Sequence, residues 1–367
     1  MSQEAGVKVW ADPLRDFSSR VFEKMGVPAD DAVVTADVLV AANLRGIDSH
    51  GVARLKRYVD GLRDGVMLAR PNIEIVHQTP GTALIDGGAG LGQPVGVRGM
   101  KLAIAKAQEV GVGFVAVRNS NHYGIAAYYA LMALEQEMIG ISMTNAAVLV
   151  VPTFGKDAML GTNPISVAAP AGEERPFVLD MATSTVPRGK LEVYDRQEKP
   201  LPLGWATDEH GVATADAHRV LDNLLARAGG GLLPLGGEGE QFRGYKGYGL
   251  ALLVDILSGV LPGAGYANTI YPKTPEGKPL PADVGHFFGA IRVDAFRPLG
   301  EFKATMDDII RRLKGSATAE GAERIYIHGE KEAEEEERRR QEGIPLHPKT
   351  VATMQQIAGE LGVEYDL

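Results

Sequence analysis

The chain of 367 residues contains no cysteine. That excludes a disulfide framework, a thiolate zinc or iron–sulfur site and a thiol nucleophile. It also lacks an excess of positive charge: 38 Lys and Arg stand against 47 Asp and Glu, for a net charge of −9. No electrostatic footprint for a phosphate backbone or an anionic membrane follows from such a balance, so neither nucleic acid nor membrane is an expected partner. Apolar runs long enough to span a bilayer, about 18 residues, are missing, because "GLALLVDILSGVL" is short and carries Asp255. The start, "MSQEAGVKVWADPLRDFSSR", has no basic segment followed by an apolar core, so the expected location is cytoplasmic. Metal-ligand spacings such as H-E-x-x-H and the nucleophile motif G-x-S-x-G are absent too, which argues against a metal site or a serine hydrolase.

What is present is enough apolar sequence, 45%, to bury a sizeable core. Apolar residues at three- and four-residue spacing predict helices in "LRDFSSRVFEKMG", "PADDAVVTADVLVAANLRG" and "SHGVARLKRYVDGLRDG". From about Ile73 the pattern changes to short strands, "ALIDGG", "GFVAVRN" and "IGISMTN", alternating with helical stretches, and "GHFFGAIRV" reads as a later strand. Such alternation implies an α/β fold, a sheet with helices packed on it. Residues 146–235 read mainly as long Gly- and Pro-rich loops. The run "EKEAEEEERRRQEG" reads as a solvated helix face with i,i+4 ion pairs.

The loop "GGAGLGQPVG" at 87–96 follows a strand and precedes a helix, but its glycines are spaced G-x-G-x-G. The following strand ends in Arg118 and Asn119 rather than in an acidic residue, so the fingerprint of a Rossmann fold fails and a structural turn is the better reading.

Two histidines stand out among eight. His122, in "RNSNHYG", sits just past a strand, where loops assemble catalytic groups, and an imidazole suits proton exchange near neutral pH. In "RGIDSHGVARLKRYVDG", Asp48 or Ser49 is placed to cap a helix on which His50, Arg54 and Tyr58 recur every four residues. Val52, Leu55, Val59 and Leu62 occupy another stripe. The helix is thus expected to bury one face and turn a cationic one to a cleft, and periodicity alone admits Arg57 to that face beside Arg54.

The blocks "RGIDSHGVARLKRY", "SNHYGIAAYY", "IGISMTNA", "GTNPISVAAP", "LDMATST", "GYKGYGLALLVDILSGVL" and "GHFF" together resemble the type 2 malate/L-lactate dehydrogenase family, from about residue 12 to the C-terminus. That family includes ureidoglycolate and sulfolactate dehydrogenases and a cyclic imino acid reductase. The resemblance implies a non-Rossmann cofactor domain with a mixed sheet plus a helical domain formed by both termini. The division expected is 1–75, 76–300 and 301–367, in a homodimer. It further implies NAD or NADP as cofactor and a small L-2-hydroxy acid, such as malate or lactate, as substrate.

By the same resemblance, His122 exchanges the substrate hydroxyl proton, with His50 sharing or orienting it. Ser49, Arg54, Tyr58 and Thr162 face the substrate. Asn145, Ala146, Asp180, Met181, Ala182 and Lys246 contact the cofactor, although Asp180 also reads as a helix or turn cap and Lys246 as a surface lysine. No metal is expected. Arg188 and the long charged stretch before Lys246 depart from the family pattern. Reduction of a cyclic imine carboxylate, or a non-catalytic nucleotide- or carboxylate-binding role, are the alternatives.

Overall fold

The computed structural model describes residues 7–367. The N-terminal part comprises β1 (Val7–Val9), α1 (Ala11–Lys24), α2 (Ala29–Leu44) and α3 (Leu55–Arg63). The middle begins with β2 (Glu74–Gln78), β3 (Thr82–Asp86), α4 (Gly92–Val110), β4 (Val112–Ser120), α5 (Ala127–Leu134) and β5 (Met138–Thr144). It continues through β6 (Ile165–Ala169), β7 (Phe177–Met181), α6 (Arg188–Arg196), β8 (Ala206–Thr207), α7 (Ala217–Ala226), β9 (Gly231–Leu232), α8 (Gly244–Asp255) and β10 (Val284–Arg292). The chain ends in α9 (Leu299–Lys314), α10 (Glu330–Glu342), β11 (Ile344–Leu346) and α11 (Pro348–Leu361).

Helix α1 forms because Leu14, Phe17, Val21 and Phe22 fall on one face, and all four are fully buried. They join a core that also takes Leu39 and Leu44 of α2, Leu55 and Val59 of α3, and Ile344, Leu346, Met354 and Ile357 from the far end of the chain. Strand β1 completes the union by pairing antiparallel with β11. Full burial of each such side chain is worth about 1.5–3 kcal/mol, so the two ends of the chain stabilise each other.

The main sheet has seven strands in the order β2-β3-β4-β10-β5-β6-β7. Only β3 and β4 are parallel; every other neighbouring pair is antiparallel. Helices α4 and α5 pack against it through Val95, Met100, Ala103, Tyr129 and Ala133, facing Val115, Val117 and Phe288. Because β10 runs against both β4 and β5, those two strands point the same way, and β7 does as well. The ends of β4, β5 and β7 and the start of β6 therefore lie along one edge of the sheet.

Two expectations differ from what is observed. The stretch 146–235, read as loops, contains β6, β7, α6, α7 and the β8–β9 pair. Its strands are five residues or fewer and mostly buried, so they show little alternation. The helix expected from Asp48 onward is broken: 48–50 and 52–54 are separate 3₁₀ turns, and regular α-helix begins at Leu55. Among the described residues, no helix is long and apolar enough to cross a membrane.

Candidate active site

His122 stands two residues past β4 on a segment fixed from three sides. Ser120 binds the Nε2 of buried His286 at 2.8 Å, while the His286 Nδ1 meets Thr144 at 2.8 Å. Asn121 donates its amide to the carbonyls of Ala89 (3.2 Å) and Gly90 (2.9 Å), in the glycine loop. The loop earns its glycines by packing: a Cβ on Gly92 would lie 2.1 Å from the Asn121 carbonyl oxygen and 2.6 Å from that of His122. On the far side, the Ala127 N–H at the start of α5 donates to Asp180 Oδ2 at 2.9 Å. Asp180 thus occupies the capping role.

The turns at 48–54 bring the second group of side chains to this point. Asp48 caps nothing; instead its carboxylate receives both terminal nitrogens of Arg339, at 2.6 and 2.9 Å, and the Asn43 amide at 2.7 Å. Arg339 is 7% exposed, so the charged helix α10 is not simply a solvated face. Asn43 Oδ1 also accepts from the Val52 N–H at 2.9 Å, and Gly51 permits that contact, since a Cβ there would sit 2.1 Å from the same oxygen. These anchors break the helix and set Ser49 and His50 apart from α3.

The Tyr58 hydroxyl, fully buried on α3, meets His122 Nδ1 at 2.6 Å, across 64 residues of sequence. The His50 ring stacks on that of His122, with centroids 5.7 Å apart, and Ser49 Oγ meets His50 Nδ1 at 2.9 Å. Arg54 donates Nε to the Ser49 carbonyl at 2.7 Å, and Arg57 donates to the Tyr271 hydroxyl at 3.1 Å. Among the described residues neither arginine forms an ion pair.

These surroundings shape protonation. Burial, reinforced by the charges of Arg57, His50 and Arg54, holds His122 well below the usual imidazole range. His50 is lowered to about 4 by burial and by Arg54 and Arg57. Burial raises the Tyr58 phenol to about 12 and Asp180 to about 6. At neutral pH the site therefore presents neutral imidazoles, a protonated phenol and two guanidinium groups.

Sequence reasoning passed over Gln93, in the first turn of α4. Its side chain is fully buried and close enough to Tyr58 to influence that phenol, yet among the described residues neither carboxamide atom makes a hydrogen bond of good geometry. A lone amide in the apolar run "GLGQPVG" was the available signal. Tyr271, the partner of Arg57, gave none.

The remaining residues line the same sheet edge. Asn145 is spent on structure, donating to the Gly265 carbonyl at 2.7 Å and accepting from the Gly285 N–H at 3.0 Å. The Ala146 N–H donates to Asn163 Oδ1 at 3.1 Å, and Asn163 reaches the Ala251 carbonyl of α8 at 3.0 Å. The Thr162 carbonyl accepts from the Thr183 N–H at 2.8 Å, just past Met181 and Ala182. Leu235 links Thr183 to Gly247, which ties the start of α8, and with it Lys246, to this edge. Lys246 is exposed. Arg188, at the start of α6, pairs with Glu192 at 3.1 Å, and Arg118 pairs with Asp86 at 3.0 Å.

The family model for malate/L-lactate dehydrogenase matches residues 9–355. The chain is 50% identical over 358 residues to a malate dehydrogenase of Pyrococcus horikoshii, covering 98% of this chain and 96% of that one. It is 41% identical over 348 residues to an L-sulfolactate dehydrogenase of Methanocaldococcus jannaschii, covering 94% and 95%. A crystal structure of malate dehydrogenase from Entamoeba histolytica superposes with a TM-score of 0.92 at 38% identity, covering 99% of this chain and 100% of that one. A non-Rossmann mixed sheet, two paired histidine turns and matches of this extent agree, and the chain belongs to the malate/L-lactate dehydrogenase family.

Proposed function

We propose that the protein interconverts a small L-2-hydroxy acid and its 2-oxo acid with NAD or NADP. The observation that carries this reading is the Tyr58–His122 hydrogen bond beside two arginines that have no carboxylate partner among the described residues.

The substrate carboxylate is held by Arg54, whose planar fork can meet both oxygens at once. Ser49 and Thr162 complete the substrate side, and His50 orients the bound acid against the ring of His122. His122 takes the hydroxyl proton during oxidation and returns it during reduction. Tyr58 serves both directions by accepting from the His122 Nδ1–H. In oxidation the bare Nε2 takes the hydroxyl proton and the ring becomes an imidazolium. In reduction that imidazolium returns the Nε2 proton to the forming hydroxyl and reverts to the neutral ring. With its phenol raised to about 12, Tyr58 keeps its own proton throughout.

The residues present suit a dinucleotide. Lys246 and Arg243 are exposed at the start of α8 and form no ion pair among the described residues, which is the chemistry a pyrophosphate or phosphate asks for. Asn145, Ala146, Met181 and Ala182 would flank the same nucleotide along the sheet edge, and Asp180 would support it by fixing α5. When bound, the nicotinamide supplies the hydride acceptor; the protein orients the acid and handles one proton.

The reading includes a homodimer, and a division into 1–75, 76–300 and 301–367. Leu253, Ile256, Val260 and Leu261, on α8 and the turn after it, are 43–59% exposed, an apolar stripe suited to a second copy of the chain. The deciding experiment is an assay of purified protein with NADH and NADPH against oxaloacetate, pyruvate and other 2-oxo acids. Turnover of at least one of them is expected. Reduction of a cyclic imine carboxylate alone, or cofactor binding with no turnover, would replace this reading.

A further inference from the structure

We propose that Gln93 is a positioning residue for the proton step: its side-chain carbonyl accepts a hydrogen bond from the Tyr58 hydroxyl, turns the phenol's lone pairs toward His122, and so fixes that imidazole with its proton on Nδ1 and Nε2 bare. The proposal rests on the reading above, in which His122 Nε2 takes the substrate proton.

The first turn of α4 is pinned at the site. A Cβ on Gly92 would lie 2.6 Å from the His122 carbonyl oxygen, and Leu91 shares a core with Tyr58. Gln93, the next residue, is fully buried, and among the described residues neither end of its carboxamide makes a hydrogen bond of good geometry. A buried amide without partners costs free energy, so its place in the fold calls for an explanation.

Tyr58 is its complement. This phenol is fully buried too, and its recorded hydrogen bond is the 2.6 Å contact to His122 Nδ1. A hydroxyl has one proton to give besides lone pairs that accept. When a lone pair faces the Nδ1–H, the phenol proton needs an acceptor of its own, and Gln93 lies close enough to act on that phenol and carries a free carbonyl.

The consequence falls on His122. A neutral imidazole has one N–H, and the hydrogen bond at one nitrogen decides the state of the other. The Gly124 N–H, 3.4 Å from Nδ1, is too long to impose a bare nitrogen there. Turned the other way, the carboxamide would donate to the phenol oxygen and Tyr58 would donate to Nδ1. The ring proton would then sit on Nε2, where a hydroxyl proton has to arrive.

The test is the tautomer of His122, read at neutral pH from 15N spectra of protein labelled at histidine, with His122→Gln identifying its signal. The wild-type ring should show an N–H at Nδ1 and a bare Nε2. In Gln93→Met, which keeps the shape and removes the acceptor, the Nε2–H form should appear and kcat/KM for a hydroxy acid should fall about 2- to 12-fold through kcat, the range for one neutral hydrogen bond. Gln93→Glu keeps an acceptor oxygen in either charge state, so it should restore the Nδ1–H form and part of the rate. Thermal melting establishes that each variant is folded. If Gln93→Met is not, the wild-type spectrum and Gln93→Glu carry the test, and loss of the Nδ1–H form in the latter would count against the proposal. An Nε2–H ring in the wild-type protein, or a folded Gln93→Met whose tautomer or kcat/KM is unchanged, would overturn it while leaving the hydroxy acid assignment to the turnover assay. Absence of turnover by the wild-type protein on any 2-hydroxy or 2-oxo acid would overturn both.

Discussion

Removing one oxygen atom, by Tyr58→Phe, separates the orientation of His122 from its chemistry. The ring stays: it is fully buried and packs edge-on to Phe22 at 6.3 Å between centroids. What disappears is the 2.6 Å contact to His122 Nδ1. The next polar group is the Gly124 N–H, whose 3.4 Å approach to the same nitrogen is too long to replace it. A buried nitrogen left without its partner costs about 1–3 kcal/mol, and that sets the expected loss of stability. If the same interaction also aligns the imidazole in the transition state, kcat/KM should fall roughly 10- to 150-fold, at about 1.4 kcal/mol per decade. Both directions must fall by the same factor, because the overall equilibrium does not depend on the enzyme. Initial rates with a hydroxy acid and with its 2-oxo acid, alongside thermal melting, measure all three quantities. A variant that melts lower yet keeps wild-type kcat/KM would refute the argument, since the hydroxyl would then stabilise the fold without orienting the base.

Other consequences follow from the same geometry. Arg54→Lys retains charge but loses the fork, so kcat/KM for hydroxy acids should drop by about 1.5–3 kcal/mol of binding, with cofactor affinity measured by fluorescence titration unchanged. Arg339→Ala should destabilise the protein by about 1–2 kcal/mol, because Asp48, 47% exposed, can take water in place of its partner, while the turn carrying Ser49 and His50 is freed; KM should rise more than kcat falls. For pH, His122 lies well below the usual imidazole value, so oxidative kcat/KM should stay flat from pH 8 to 5.5, where an ordinary imidazole would lose roughly tenfold. Stability should run the other way. His50, His122 and His286 stay neutral in the fold but take up protons on unfolding below pH 6.5, and Asp180, held at about 6, offsets one of them. The unfolding free energy should therefore decline by roughly 3 kcal/mol per pH unit near pH 5, read by denaturant titration across pH.

How far these features could be read from sequence depends on the range of the interactions behind them. Strands β3, β4, β5 and β10 were legible because turn residues bound their apolar runs. Strands β6 and β7 were not: "ISVAA" and "FVLDM" are five residues each, and Pro and Gly around them read as loop. Periodicity placed Val52, Leu55 and Val59 inside correctly, but it also drew one helix through 48–58. The break depends on Asn43, Gly51 and Arg339, the last nearly 300 residues away, and no local pattern encodes that. Tyr58 was grouped with His50 and Arg54 by spacing, whereas its full burial and its meeting with His122 depend on how α3 docks against the end of β4. The charge run of α10 looked solvated for the same reason, because its local i,i+4 pairs, such as Glu336 with Arg340, hid the inward reach of Arg339.

The central claim is that the imidazole of His122 handles the substrate proton. Its most direct test is steady-state turnover by His122→Gln, with cofactor binding followed in parallel by nicotinamide fluorescence. The account predicts a kcat lower by about 10²- to 10⁴-fold with cofactor binding intact. Turnover near the wild-type rate in that variant would contradict it.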